Sequence, residues 1–454
     1  MNRLAVIDIV GLSEKLIGEN TPFLKKWLKD KSLSQIEPVL PAVTCSSQTT
    51  YLTGKWPSEH GIVGNGWFFK DTQEVALWKQ SNKLVQAESI WDIAKRQNPD
   101  FKVANMFWWF NMYSTADYAV TPRPQYRADG QKIPDCYSKP ASLRDDLQQR
   151  LGTFPLFDFW GPRTTVKSSK WIADASKLVE EMHQPDLMLV YLPHLDYVLQ
   201  KFDQQSPETA KDLHEIDAVC KDLISYLESR GVEVMVLSEY GISAANTPVH
   251  LNRIFRERGL IQIREENGLE LLDAGESKAF AVADHQVAHV YVNDPASKVL
   301  VQKILNETPG LELVLDDAGK EKYHINHERA GDFVAVAAKE HWFTYYYWLE
   351  DQKAPDFARV VDIHKKPGYD PVEMFFDPKK KFIFPRLAFK LLKKKLGFRT
   401  LMDVIPLDAS LVKGSHGRVH IGKEDKPIFI SKEKFPGSIQ PTDLQGIFLK
   451  KIFG

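Results

Sequence analysis

Three apolar runs, LAVIDIVGL at 4–12, DLMLVYLP at 186–193 and VEVMVLSEYG at 232–241, leave this chain few folds to adopt. Each is too continuously apolar to have one wet face, so each reads as a strand buried on both sides, the pattern of parallel sheets. Helical segments separate them. SSKWIADASKLVEEMHQ is amphipathic and feeds the second run. PETAKDLHEIDAVCKDLISYLESRG leads to the third and stops at Gly231, as helix C-termini often do. TPFLKKWLKD and ESIWDIAKRQ read as helices, and FKVANMFWWF as a further strand. Strand–helix alternation of this kind predicts an α/β fold, a mainly parallel central sheet flanked by helices on both faces.

Between about 286 and 338 the pattern changes. AHVYVND, ASKVLVQKILNE, LELVLD and GDFVAVAA read as strand, helix, strand and strand. They suggest a small α+β lid at 284–345, inserted between a main domain at 1–283 and its return at 346–454. The stretch after residue 341, WFTYYYWLEDQ, is rich in aromatics, which suit either a cleft wall or plain core packing.

The three runs also carry chemistry at their ends. Asp8 breaks the first near its carboxyl end, where open α/β sheets hold ligands and metals. A carboxylate capping the next loop is the plainer reading, and Gly11 permits a tight turn there. Asp196 follows the second run, with His194 two residues before it, and Glu239-Tyr240 closes the third. Elsewhere, PAVTCSSQTTYLTG puts Thr44 where a loop gives way to a helix. A phosphate there would meet unpaired backbone N–H groups and the positive end of the helix dipole. Threonine is also a good N-cap, and capping alone would explain it.

Asp8, the Pro41–Thr44 turn, Thr53-Gly54 and the run His60-Gly61-Ile62-Val63-Gly64-Asn65 together resemble the alkaline phosphatase superfamily, in its type I phosphodiesterase/nucleotide pyrophosphatase branch. The order and spacing match over most of the chain. The resemblance implies a hydrolase of phosphoric esters acting on a small phosphorylated substrate with one or two divalent metal ions. It implies Thr44 as nucleophile, activated by a metal that Asp8 also binds, and Asn65 holding a phosphoryl oxygen. His60 would fix the loop. Asp196 and Gln200, Glu239-Tyr240, and His416 in LVKGSHGRV fall where the family has an Asp with a His four residues on, an Asp-His pair, and a last His. Three of these positions depart from the pattern: Gln200, Glu239 and Tyr240.

Replacing two imidazoles by an amide and a phenol removes two nitrogen donors. Tyr240, with a reference pKa of about 10, would ligate only if a metal drew off its proton. Gln200 offers a neutral carbonyl oxygen, better matched to hard ions than to zinc. The set Asp8, Thr44, Asp196, Glu239 and His416, with Gln200, Tyr240 and His194 as weaker candidates, is oxygen-dominated. Three outcomes stay open. The chain binds two ions of harder character, manganese or magnesium in place of zinc; or it binds one; or it keeps the fold as a non-catalytic phosphate-ligand-binding protein in a biosynthetic or assembly pathway.

Composition narrows the setting. With 454 residues, 43% hydrophobic, the chain can bury a large core. A net charge of −1 argues against bulk nucleic-acid binding. Three widely spaced cysteines, Cys45, Cys136 and Cys220, form no disulfide framework. No signal-peptide pattern and no long apolar run is read, so cytoplasmic is the expected location. One segment is strongly basic. Within 379–399 lie Lys379, Lys380, Lys381, Arg386, Lys390, Lys393, Lys394, Lys395 and Arg399, interleaved with Phe382, Phe384, Leu387, Phe389, Leu391 and Leu392. It reads as a solvated connector packed by its apolar face, or as a weak contact with an anionic membrane surface. His364, beside Lys365 and Lys366, reads as a solvated loop or a contact to an anionic substrate.

Overall fold

Leu4–Ile9 lies at the middle of a nine-stranded sheet. The computed structural model describes all of residues 1–454 except Asp129, Arg399 and the side chain of Phe384. Arg399 and the Phe384 side chain, counted above in the basic run, thus lie outside the described residues. The sheet order is Ser438–Ile439, Ser32–Ile36, Ile428–Ser431, Glu233–Leu237, Leu4–Ile9, Leu187–Leu192, Val103–Met106, Tyr118–Pro122, Cys136–Lys139. The five strands from Glu233–Leu237 to Tyr118–Pro122 are parallel, and Ile428–Ser431 and Cys136–Lys139 join antiparallel. The three apolar runs are therefore adjacent strands, and all three end on the same edge.

Their register places the chemistry. Asp8 lies opposite Tyr191 on one side and Leu237 on the other. Leu4, Ala5, Val6, Ile7 and Ile9 have no exposed surface, and each large one contributes about 1.5–3 kcal/mol of burial. That burial holds Asp8 inside the sheet despite its charge. Beyond the strand, Gly11 has φ +77 and bridges Gly241. A Cβ on Gly241 would stand 1.9 Å from the Asp425 carbonyl oxygen. The turns leaving the two central strands thus pack backbone against backbone.

Helices Lys167–His183 and Pro207–Ser229 pack on each other, the first against Leu187–Leu192 and the second against Glu233–Leu237. Leu444–Phe453 packs on Leu4–Ile9 and on helix Thr44–Thr53. One expected element is shorter than its apolar run. FKVANMFWWF is a strand only over Val103–Met106, and Phe107 and Phe110 take left-handed φ values of 74 and 52. Those aromatics turn into the core instead of prolonging the sheet.

A four-stranded sheet, in the order Ala279–Asp284, Val287–Val292, Phe333–Ala337, Leu311–Leu315, forms the second lobe with helix Lys298–Glu307. Its first strand begins upstream of residue 284. Trp342, Tyr345, Tyr346, Tyr347 and Trp348 are fully buried in the core of this lobe, so they pack and do not line a cleft. Lys366 is buried too, its ammonium 2.8 Å from Asp370 and 2.7 Å from Glu373. It is consumed by these two acids and unavailable to a substrate. Helix Ile383–Lys395 corrects the packed-connector expectation. Phe389, Leu391 and Leu392 are more than half exposed, as are Leu396 and Phe398 beyond its end. Among the described residues, no helix is long and apolar enough to cross a membrane.

Candidate active site

Helix Thr44–Thr53 begins with Thr44 itself, because Val43 occupies the N-cap. Thr44 is thus the first helical residue, and its hydroxyl is not spent on capping. It points instead to the end of Glu233–Leu237, 3.3 Å from the Tyr240 phenol oxygen. Tyr240 donates to Asp196 Oδ1 at 3.1 Å. A phenol carries one proton. With that proton aimed at Asp196, the Thr44 hydroxyl can donate either to Tyr240 or to Glu239, both within its reach.

Asp8 and Glu239 meet beneath this chain. The Gln48 amide nitrogen donates to Asp8 Oδ2 at 3.3 Å and also to Glu239 Oε1, while its oxygen accepts the Trp109 N–H at 2.6 Å. Gln48 lies four residues after Thr44, on the same helical face. Both Asp196 oxygens are engaged: the second accepts the Gln200 amide at 2.9 Å, and Gln200 in turn accepts the Tyr369 hydroxyl at 3.0 Å.

His416 closes the ring. Its Nδ1 donates to the Ala42 carbonyl at 2.7 Å. That bond fixes the neutral tautomer with a bare Nε2, which lies 3.6 Å from Asp196 Oδ1. The Tyr240 ring stacks on His416 at 3.5 Å and 5°, and the His285 ring lies 3.8 Å from it. Asn65 ties the helix start to the second lobe. Its oxygen accepts the Cys45 N–H at 3.1 Å, and its backbone and side-chain nitrogens donate to Asp284 at 2.7 and 3.0 Å. His60 lies outside the ring, bonded to Thr50 at 3.0 Å and to the Ile62 N–H at 3.0 Å, which pins the loop leading to Asn65.

The electrostatics are unusual. Asp8, Asp196, Glu239 and Asp284 are all buried. Among the described residues, no lysine or arginine pairs with any of them. Burial, then the neighbouring Glu239, holds the Asp8 carboxyl well above the usual carboxylate range. Burial also raises Glu239 and Asp284, and pushes Asp196 up to about 7. His416 and His285 are driven the other way by burial and stay neutral.

Such a set tests for a metal. Asp8 Oδ1, Glu239 Oε2 and His416 Nε2 are buried without any hydrogen-bond partner. Two orphaned carboxylate oxygens beside the Thr44 hydroxyl fit one hard divalent cation. The Asp196–His416 half fits less well, because Gln200 and Tyr240 already occupy both Asp196 oxygens.

Of the residues named from sequence, the site brings together Asp8, Thr44, Asn65, Asp196, Gln200, Glu239, Tyr240 and His416. His194 turns away from it, toward Asp212 and Glu215. His364 lies exposed in a turn, as the solvated-loop reading had it, and desolvation lowers its pKa. Sequence reasoning missed Gln48, Asp284, His285 and Tyr369. The i, i+4 spacing from Thr44 would have found Gln48. Asp284-His285 was readable as an acid–imidazole pair at the end of an apolar run, AFAVADH.

Comparison with known proteins gives the family and the fold. The profile of the type I phosphodiesterase/nucleotide pyrophosphatase family matches residues 4–370. A pyrophosphatase/phosphodiesterase of Schizosaccharomyces pombe is 27% identical over 230 residues, 48% of this chain and 40% of that protein. Ectonucleotide pyrophosphatase/phosphodiesterase 2 of Saccharomyces cerevisiae is 25% identical over 262 residues, 53% of this chain and 48% of that one. The chain thus matches less than half the length of these curated relatives. Among solved structures, phosphonoacetate hydrolase from Sinorhizobium meliloti superposes with a TM-score of 0.62 at 14% identity, over 99% of this chain and 96% of that one. An inactive threonine-to-alanine variant of murine ectonucleotide pyrophosphatase/phosphodiesterase 5, in complex with AMP, superposes with a TM-score of 0.58 at 14% identity, over 100% and 95%. These two likenesses are of fold.

Proposed function

Because the chain belongs to the type I phosphodiesterase/nucleotide pyrophosphatase family, we propose that it hydrolyses a phosphodiester or pyrophosphate bond of a small phosphorylated substrate, with Thr44 as nucleophile. One observation carries this reading: the Thr44 hydroxyl starts a helix and lies 3.3 Å from the Tyr240 phenol, which donates to the Asp196 carboxylate. The inactive threonine variant of the murine relative, in complex with AMP, supports a threonine nucleophile and a nucleotide-like phosphate.

In the proposed reaction Thr44 Oγ1 bonds to phosphorus and the ester oxygen leaves. The Thr44 proton passes to Tyr240 as Tyr240 passes its own to Asp196. With a pKa of about 7, Asp196 is well matched to accept a proton near neutrality. Water then cleaves the Thr44–phosphoryl bond. Unpaired N–H groups at the helix start and the remaining Asn65 amide hydrogen stabilise developing negative charge. Asp8, Thr44 and Glu239 are the residues that would hold a divalent ion, manganese or magnesium by their oxygen character. When bound, that ion polarises a phosphoryl oxygen. A second ion at Asp196 and His416, zinc or otherwise, would have to displace the hydrogen bonds from Gln200 and Tyr240 to Asp196. The 284–345 segment acts as a lid through the Asp284–Asn65 contact. A reducing, cytoplasmic setting is supported by three free buried thiols. A weak anionic-membrane contact at 379–399 is supported by the exposed apolar side chains there.

A second reading, a phosphate-ligand-binding protein without turnover, is favoured by the neutral donors Gln48, Gln200 and Tyr240 already serving the carboxylates. Release of p-nitrophenol from bis(p-nitrophenyl) phosphate, lost with EDTA and restored by manganese, supports hydrolysis. Binding of AMP with no turnover on diester or pyrophosphate supports the second reading.

A further inference from the structure

His194 opens helix His194–Lys201, directly after the central strand Leu187–Leu192. It is 1% exposed, and neither ring nitrogen has a hydrogen-bond partner. Two unsatisfied buried nitrogens on one ring are costly and uncommon. The ring faces two carboxylates. Its Nε2 lies 3.4 Å from Asp212 Oδ2 and 3.7 Å from Glu215 Oε2. Asp212 and Glu215 are three residues apart on helix Pro207–Ser229, so one helical face presents both.

We infer that His194, Asp212 and Glu215 form a divalent-cation site separate from the Thr44 centre. One ligand atom from each residue lies within 4.8 Å of the other two. Tetrahedral donors around zinc at about 2.0–2.1 Å stand about 3.4 Å apart, so only small side-chain rotations would close the site. One imidazole and two carboxylates suit zinc or another first-row divalent ion. The acids remain partly open to solvent, with side-chain exposures of 20% and 32%, so the ion can enter and keep a water ligand. Lys211 pairs with the other Glu215 oxygen at 3.3 Å and is 70% exposed, which leaves Oε2 free.

The same short helix carries Asp196 and Gln200. An ion here would pin it to Pro207–Ser229 and so position Asp196 from behind. The ion would touch no substrate.

The test uses metal-stripped full-length protein titrated with zinc chloride by calorimetry, in a background where Asp8→Asn and Glu239→Gln disable the Thr44 centre. One zinc per chain is expected, with a rise in melting temperature that EDTA reverses. Asp212→Asn with Glu215→Gln, both on a partly exposed helix face, should lower zinc affinity at least tenfold while the metal-free melting temperature holds. Zinc-edge absorption should contain one imidazole, lost in His194→Gln. Equal zinc binding with and without the two helix acids, no zinc binding at all, or an imidazole-free spectrum would each overturn the site.

Discussion

The Tyr240 phenol oxygen stands between Thr44 and Asp196, 3.3 Å from the hydroxyl and 3.1 Å from the carboxylate. This places a phenol where the family pattern has an imidazole. Tyr240→Phe keeps the ring stacked on His416 and removes only the relay. The expected result is a fall in kcat of about 10²–10⁴-fold, the usual worth of general base catalysis, with KM little changed. An unchanged kcat would remove Tyr240 from the mechanism.

Gln48 is the only amide shared by Asp8 and Glu239 among the described contacts. Gln48→Ala leaves both carboxylates and the Trp109 N–H short of a partner. It should cost about 1–3 kcal/mol of stability, by the penalty for unsatisfied buried groups. Manganese should recover part of that loss, seen as a larger metal-induced rise in melting temperature than in the unaltered protein. The absence of any metal response in both proteins would argue against a cation beside Asp8.

Two buried histidines set an acid limit. His60 and His289 are held down to about 3 and about 4, chiefly by burial. In each, one ring nitrogen accepts a backbone N–H, from Ile62 and from Gly331, so a second ring proton has no place. Unfolded, both titrate near 6.5. The unfolded chain therefore binds more protons below that pH, and stability falls as pH drops from about 6.5 toward 4. Asp196 has the opposite sign, since its stabilising proton is lost as pH rises through about 7. A difference measurement isolates one histidine. His289→Gln should lose about 2 kcal/mol less than the unaltered protein between pH 6.5 and 5, at about 1.4 kcal/mol per pH unit. Urea denaturation at the two pH values reads this out, and equal losses would contradict it.

Lys366 separates a structural cation from a substrate-facing one. Buried between Asp370 and Glu373, it should be costly to remove. Lys366→Met is expected to destabilise the fold by about 3–5 kcal/mol in urea, because two acids lose their partner. At a temperature where the variant is folded, KM for a phosphodiester should not change. A raised KM without loss of stability would reverse this assignment.

The sheet was legible because its central strands are apolar on both faces, which nothing but a covered parallel sheet satisfies. Asp8 and Thr44 were legible because a strand end and a helix start are marked by local pattern, while Glu239 and His416 were picked out by the family resemblance. Tyr369 and Asn65's bond to Asp284 were not, since they depend on how the second lobe meets the first. The aromatic run at 342–348 left a cleft wall and a core both open, because burial in a core and burial beside a ligand leave the same composition; it is core. His194, a weak candidate by its closeness in sequence, stands two residues from Asp196 on a helix, which points the two side chains to roughly opposite faces.

Trapping a covalent intermediate tests the central claim most directly. Protein mixed with a phosphodiester or pyrophosphate substrate, quenched in acid during turnover and digested, should yield a Thr44 peptide carrying a substrate-derived phosphoryl group. Thr44→Ala should give no such peptide and no turnover. Full turnover by Thr44→Ala, or turnover with Thr44 never modified, would contradict the account.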